Sequence, residues 1–86
     1  HGSIDRLIVE DARVLAIDYK SNATVPDRPD QVPEGILRQM GAYAALLAQI
    51  YPGRRIETAI LWTANGTLMV LPAEMVRAAL ATTPIP

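Results

Sequence analysis

No cysteine occurs among the 86 residues. That excludes disulfides, thiolate zinc sites and iron–sulfur clusters, and it says nothing about redox compartment. No apolar run approaches the roughly 18 residues of a membrane-spanning helix, and no signal-peptide pattern opens the chain, so a soluble cytoplasmic protein with no membrane partner is expected. An excess of positive charge is also lacking: Lys and Arg total 8 against 9 Asp and Glu, for a net charge of -1. A stand-alone DNA binder usually carries a basic face. The balance argues against independent DNA binding, and less strongly against cutting DNA that a larger assembly delivers. Gly-rich phosphate loops, internal repeats, low-complexity tracts and charge blocks are absent.

Eighty-six residues make one small domain. Half are apolar and a fifth charged, a balance that suits a folded α/β unit and argues against disorder. Residues 3 to 10 and 13 to 20 are rich in Val, Ile and Leu and read as strands, separated by the turn-prone Asp11-Ala12. The run from 21 to 33 holds three prolines and several small polar residues and reads as an irregular surface loop beside the site. From Glu34 to Tyr51 apolar residues recur at 36, 40, 43, 47 and 50, one face of a helix that Pro33 opens and Pro52-Gly53 stops. Gly41 inside it costs about 1 kcal/mol relative to alanine, which suggests close packing of helix on sheet. Residues 55 to 63 alternate like a strand, Asn65-Gly66 signals a hairpin, and 67 to 71 return antiparallel, with Trp62 opposing Met69 as core residues. Met75, Val76, Ala79 and Leu80 give helical spacing over 73 to 81.

A strand, helix, strand succession allows parallel neighbours joined by a right-handed crossover. The fold expected is α/β: a mixed four-stranded sheet in ββαββα order with one long helix packed on it. One face of that sheet is left without cover, which calls for a missing element or a partner surface.

The residues least explained by folding alone are Asp5, Asp18, Lys20, Gln39 and Tyr43. In a hairpin closed by Asp11 and Ala12, Glu10 faces Arg13 and Asp5 faces Asp18. Two carboxylates so opposed lie roughly 5 Å apart at Cβ and repel by about 3 kcal/mol at an effective dielectric of about 20. A hard divalent cation such as Mg²⁺, which takes a few carboxylate oxygens plus water and phosphate oxygens, would offset that repulsion. Lys20 points to the same face as Asp18, where it could orient or help deprotonate a water and offset developing negative charge. Gln39 and Tyr43, four apart on one helix, could hold a phosphate or base beside the ion. An ordinary account of the same residues also exists. Asp5 could pair with Arg6 or Arg13, Asp18 could close a strand end, Lys20 could be a solvated strand-terminal lysine, Tyr43 a core aromatic and Gln39 a solvated flank. His1 reads as a terminal residue and not a ligand.

Quoted together, GSIDRL (2 to 7), VLAIDYKSN (14 to 22) and QMGAY (39 to 43) resemble the PD-(D/E)XK nuclease superfamily in its RecB-like branch. That branch carries G-x-x-D on one strand, D-Y-K on the next and Q-x-x-x-Y on the following helix, matched here by Gly2 to Asp5, Asp18 to Lys20, and Gln39 to Tyr43. Segments 32 to 54 and 59 to 72 are similar to the C-terminal nuclease region of AddA-type helicase-nucleases. The resemblance implies a partial restriction-endonuclease-like core in which Asp5 and Asp18 bind Mg²⁺, or Mn²⁺ in its place. The backbone carbonyl of Tyr19 would be a further ligand, Lys20 would serve the attacking water, and Gln39 and Tyr43 would contact DNA.

It further implies exonucleolytic end processing in bacterial double-strand break repair, with an attached ATP-driven helicase in the same parent chain and an AddB-type partner. RecB-like domains usually carry an upstream helix with a metal-binding histidine. His1 is not that residue, and residues 1 to 86 are expected to be a C-terminal fragment that binds metal weakly alone. The lack of cysteines favours the AddA type over relatives with an iron–sulfur cluster. The rival reading is a non-catalytic interaction module with a vestigial metal site, while a phosphatase-like enzyme would need a nucleophilic Asp or Ser in a βα turn, and none is well placed.

Overall fold

A computed structural model describes residues 4–82. Four strands and two helices follow one another as β1 (Arg6–Val9), β2 (Arg13–Lys20), α1 (Glu34–Ile50), β3 (Arg55–Trp62), β4 (Thr67–Leu71) and α2 (Ala73–Ala81), with a short 3-10 turn at Pro29–Gln31. The strands form one mixed sheet in the order β1-β2-β3-β4. No helix is long and apolar enough to cross a membrane among the described residues.

The first hairpin has the register expected of a turn closed by Asp11 and Ala12. Arg6 pairs with Ile17 and Val9 with Val14, and the next step is sealed by Glu10 N–H donating to Arg13 O at 2.8 Å. The Arg13 guanidinium then bridges Glu10 on one side, 2.7 Å, and Glu57 of β3 on the other, 2.5 Å. β2 and β3 run parallel, with Asp18 level with Ile60 and Lys20 level with Trp62.

The second hairpin departs from expectation by two residues. Trp62 pairs with Thr67, and Met69 pairs with Ile60. A two-residue type I′ turn needs positive φ at both central positions, yet only Gly66 has it, at 71°, and Asn65 does not. Asn65 instead accepts the Thr67 N–H at its side-chain oxygen, 3.1 Å, and Gly66 N–H closes on Trp62 O, 2.8 Å. The connection is therefore four residues long. A slip of two keeps every side chain on its face, so Trp62 and Met69 still share one core with Met40, Ile60, Leu71 and Val76.

Side chains alternate across the strands, and both helices cover the same side. Pro33 and Pro72 precede α1 and α2 as caps without a side-chain hydrogen bond, consistent with proline's fixed φ and missing donor at a helix start. α1 buries Leu37, Met40, Gly41 and Leu47, whereas Ile50, expected on the apolar face, is 56% exposed. Gly41 allows close packing of helix on helix, not of helix on sheet: a Cβ there would collide with the carbonyl oxygen of Val76 and crowd Leu80 of α2. On the opposite side Leu15, Ile17 and Ala59 pack with Ile8 and Leu61, and Leu68 and Val70 stand 49% and 54% exposed, with no described element laid over them.

Candidate metal centre

Continuing the β1–β2 register one step past Arg6 and Ile17 brings Asp5 level with Asp18, on the helix-covered side. Asp5 precedes β1 and folds back on its neighbour: its Oδ2 accepts the Tyr19 N–H at 2.8 Å. That amide hydrogen bond, with help from Asp18 and the Lys20 charge, holds the Asp5 carboxyl below the usual carboxylate range. Asp18 is the opposite case. It is only 5% exposed, and burial pushes its carboxyl up, with Lys20 opposing the shift and Asp5 adding to it. Two adjacent acids driven in opposite directions share one site, and each lies among the groups that perturb the other.

Lys20 Nζ lies 2.9 Å from Asp18 Oδ2. That oxygen is sealed from solvent with no hydrogen-bond donor aligned on it, so the ammonium is its charge neighbour and not its directed partner. Thr63, just past the end of β3, grips the backbone of Lys20: its N–H and its hydroxyl both donate to Lys20 O, at 2.9 and 3.2 Å. On α1, Gln39 Oε1 accepts from Lys20 Nζ at 3.4 Å, and Gln39 Nε2 donates to Tyr43 OH at 3.0 Å. Burial raises the Tyr43 phenol, and the Asp18 charge adds to it.

The structure thus gathers Asp5, Asp18, Lys20, Gln39 and Tyr43 along one edge of the helix-covered face. Arg13 is engaged by Glu10 and Glu57, so it is not the salt partner that an ordinary account of Asp5 requires. Tyr19 contributes its amide to Asp5, and its side chain is turned to the other face and 44% exposed. Gly2, the first residue of the G-x-x-D match, and His1 lie outside the described residues. Sequence reasoning missed Thr63. Its only signal is the parallel register of β2 and β3, which places it beside Lys20 and depends on the crossover.

Among the described residues no group of three or more His, Cys, Asp and Glu is gathered, so the acidic donors are the two aspartates. A buried carboxylate oxygen without a directed donor, next to a carboxylate held ionised, fits a hard cation that takes one or two carboxylates and completes its shell with water and phosphate oxygens. Residues that could hold it are Asp5 and Asp18, with the Tyr19 carbonyl beside them in the chain.

The family profile of the PD-(D/E)XK nuclease superfamily matches residues 1–82. The chain is 29% identical over 70 residues to an ATP-dependent helicase/nuclease from Oenococcus oeni, a match covering 81% of this chain and 6% of that protein. No solved structure matches. With the family profile spanning all but its last few residues, the chain belongs to the PD-(D/E)XK nuclease superfamily.

Proposed function

We propose that this chain is the nuclease part of an ATP-dependent helicase-nuclease and hydrolyses DNA phosphodiesters with Mg²⁺ held by Asp5 and Asp18. The observation that carries the reading is the meeting of an ionised Asp5, a buried Asp18 and the Lys20 ammonium on one face. When bound, the ion supplies Lewis-acid polarisation of the phosphoryl oxygen and acidifies a coordinated water. The chain's own residues do the rest. The Tyr19 amide keeps Asp5 charged and aimed, Asp18 sits in a low-dielectric wall where its charge acts strongly, and Lys20 offers a donor and a positive charge to the water and to the charge developing on phosphate. Gln39 and Tyr43 border the place where DNA would lie.

The finer reading is exonucleolytic processing of broken ends in the bacterial cytoplasm, with the helicase elsewhere in a longer parent chain, an AddB-type partner, Mn²⁺ as a substitute ion, and a sheet that forms part of a restriction-endonuclease-like core. It is supported by the match to a helicase/nuclease of which the chain spans 6%. Calorimetric titration with Mg²⁺ or Mn²⁺ tests the centre: heat of binding should vanish in Asp18→Ala, and an unchanged trace would refute it. Digestion of linear DNA should be lost in Lys20→Ala. A second reading, an interaction module with a vestigial site, is favoured by the uncovered apolar face at Leu68 and Val70, and it predicts that neither substitution alters the behaviour of the parent protein.

A further inference from the structure

A lysine side chain has four rotatable bonds and about 2 kcal/mol of rotamer freedom to lose when it is fixed. Here two groups hold it from different elements: the Asp18 carboxylate on its own strand by charge, at 2.9 Å, and Gln39 Oε1 on α1 by a hydrogen bond, at 3.4 Å. The amide of Gln39 is itself held. Turned end for end it would present its NH₂ to an ammonium, donor against donor, so the ammonium selects the oxygen end, and Nε2 is left to donate to the Tyr43 hydroxyl, which anchors the amide. Gln39 and Tyr43 are one helical turn apart, and the Tyr43 ring packs against the core cluster of Trp62, Met40 and Ile60. A rigid helix therefore carries the position of the amide, and the amide oxygen helps to hold the ammonium. With its oxygen on Lys20 and one N–H on Tyr43, Gln39 has one donor and one lone pair committed within the chain.

We infer that Gln39 and Tyr43 are positioning residues for Lys20: Tyr43 fixes the Gln39 amide, and its oxygen holds the ammonium at Asp18. The kinetic consequence rests on the nuclease reading above, whereas the side-chain clamp does not. Lys20 is the only lysine in the chain, so selective ¹⁵N labelling of lysine yields a single side-chain ammonium signal.

In the unaltered chain that ammonium should exchange its protons with water slowly. Gln39→Leu should speed the exchange by about tenfold, the equivalent of one charge-assisted hydrogen bond, and Gln39→Glu, which keeps an acceptor, should restore it. Tyr43→Phe, which removes only the hydroxyl, should give a smaller rise, and it decides the matter if Gln39→Leu does not fold. Equal exchange in the unaltered chain and in these variants would overturn the inference. In digestion of DNA with Mg²⁺, Gln39→Leu should lower kcat by about 10- to 100-fold, as misplaced reacting groups do, with KM and DNA affinity little changed. A raised KM with kcat intact would instead make Gln39 a DNA contact and overturn the positioning role. If the unaltered chain cuts no DNA, the nuclease reading fails, and the ammonium signal still decides the clamp.

Discussion

The layer between sheet and helices is apolar over β3, β4 and the first half of β2 and polar at the edge where β2 ends beside Asp5, and different forces hold the two regions. Over β3, Trp62, Met40 and Ile60 are fully buried and fill space. At the edge, Asp18, Lys20, Gln39 and Tyr43 are placed by charge and directed hydrogen bonds. They meet across a single strand pairing, Asp18 with Ile60 and Lys20 with Trp62. Each region lacks what the other has. The apolar part supplies stability without chemistry, and the edge carries a like-charged pair that would open if its floor were soft.

Removing the floor should give the largest effect. Trp62→Ala deletes a fully buried indole and should cost about 3–5 kcal/mol, a large part of the roughly 5–15 kcal/mol that holds a small domain. Urea denaturation followed by far-ultraviolet circular dichroism measures it. Lys20→Ala, at the position paired with Trp62, leaves the buried Asp18 carboxylate without its cation and should cost about 1–3 kcal/mol, held down because Asp18 can take up a proton. If the two losses were similar, the division of labour between the regions would be wrong.

Gly41→Ala probes the helix contact that supports both regions. Alanine favours the helix by about 1 kcal/mol, but its Cβ would strike the Val76 carbonyl, which is backbone and cannot rotate away, and overpacking costs about 1–3 kcal/mol. The expected result is a net loss of about 1 kcal/mol by chemical denaturation, and a stabilised variant would show that α1 and α2 are not tightly docked.

The edge is more legible in the sequence than the floor. Asp5, Asp18 and Lys20 lie on one hairpin, whose register follows from a two-residue turn flanked by Glu10 and Arg13, so a local signal suffices. The β3–β4 register escapes the same reasoning because Asn65 uses its side chain as an acceptor in place of a left-handed backbone, and only the two-residue size of the slip leaves the core membership intact. The partner of Gly41 is invisible in the sequence because it lies on α2, and helix-on-helix contacts follow from the assembled layer and not from spacing. The Lys20 to Gln39 contact is hidden for a related reason: the height of α1 over β2 depends on the irregular connection from 21 to 33, where Val32 anchors the chain in the core.

Asp18→Asn tests the electrostatics at the edge. Burial raises the Asp18 carboxyl above its ordinary value, so its charged form weakens the fold. Its contribution is fully present below the unfolded value of about 4 and is lost as pH rises through the raised folded one. Asparagine should therefore stabilise the metal-free chain at neutral pH by about 1 kcal/mol, or roughly 4–8 °C in Tm for a domain of this size, and the advantage should vanish on acidification. Asp5 has the reverse sign: its lowered value gives stability that is present above the ordinary carboxylate range and lost as pH falls through that lowered value. Adding Mg²⁺ should raise the Tm of the unaltered chain, as any ligand bound only to the folded state does, and leave Asp18→Asn unmoved. A Tm for Asp18→Asn below the metal-free parent at neutral pH would remove the case for a strained acidic pair.

The smallest expected effect separates the two regions most cleanly. Thr58 is buried in β3 with a hydroxyl that has no hydrogen-bond partner, the same irregularity as the undirected oxygen of Asp18, but in the apolar region and without charge. Thr58→Val keeps the shape and deletes the orphan polar group, so it should stabilise by about 0.5–1 kcal/mol, since an unsatisfied buried hydroxyl carries its desolvation cost uncompensated. Because nothing titrates there, the gain should be the same at acid and neutral pH and the same with or without Mg²⁺. Differential scanning calorimetry of both variants across pH and Mg²⁺ makes the comparison. A Thr58→Val gain that responds to either would mean that the hydroxyl is coupled to the acidic edge, and that one polar network, not two separate regions, holds this side of the sheet.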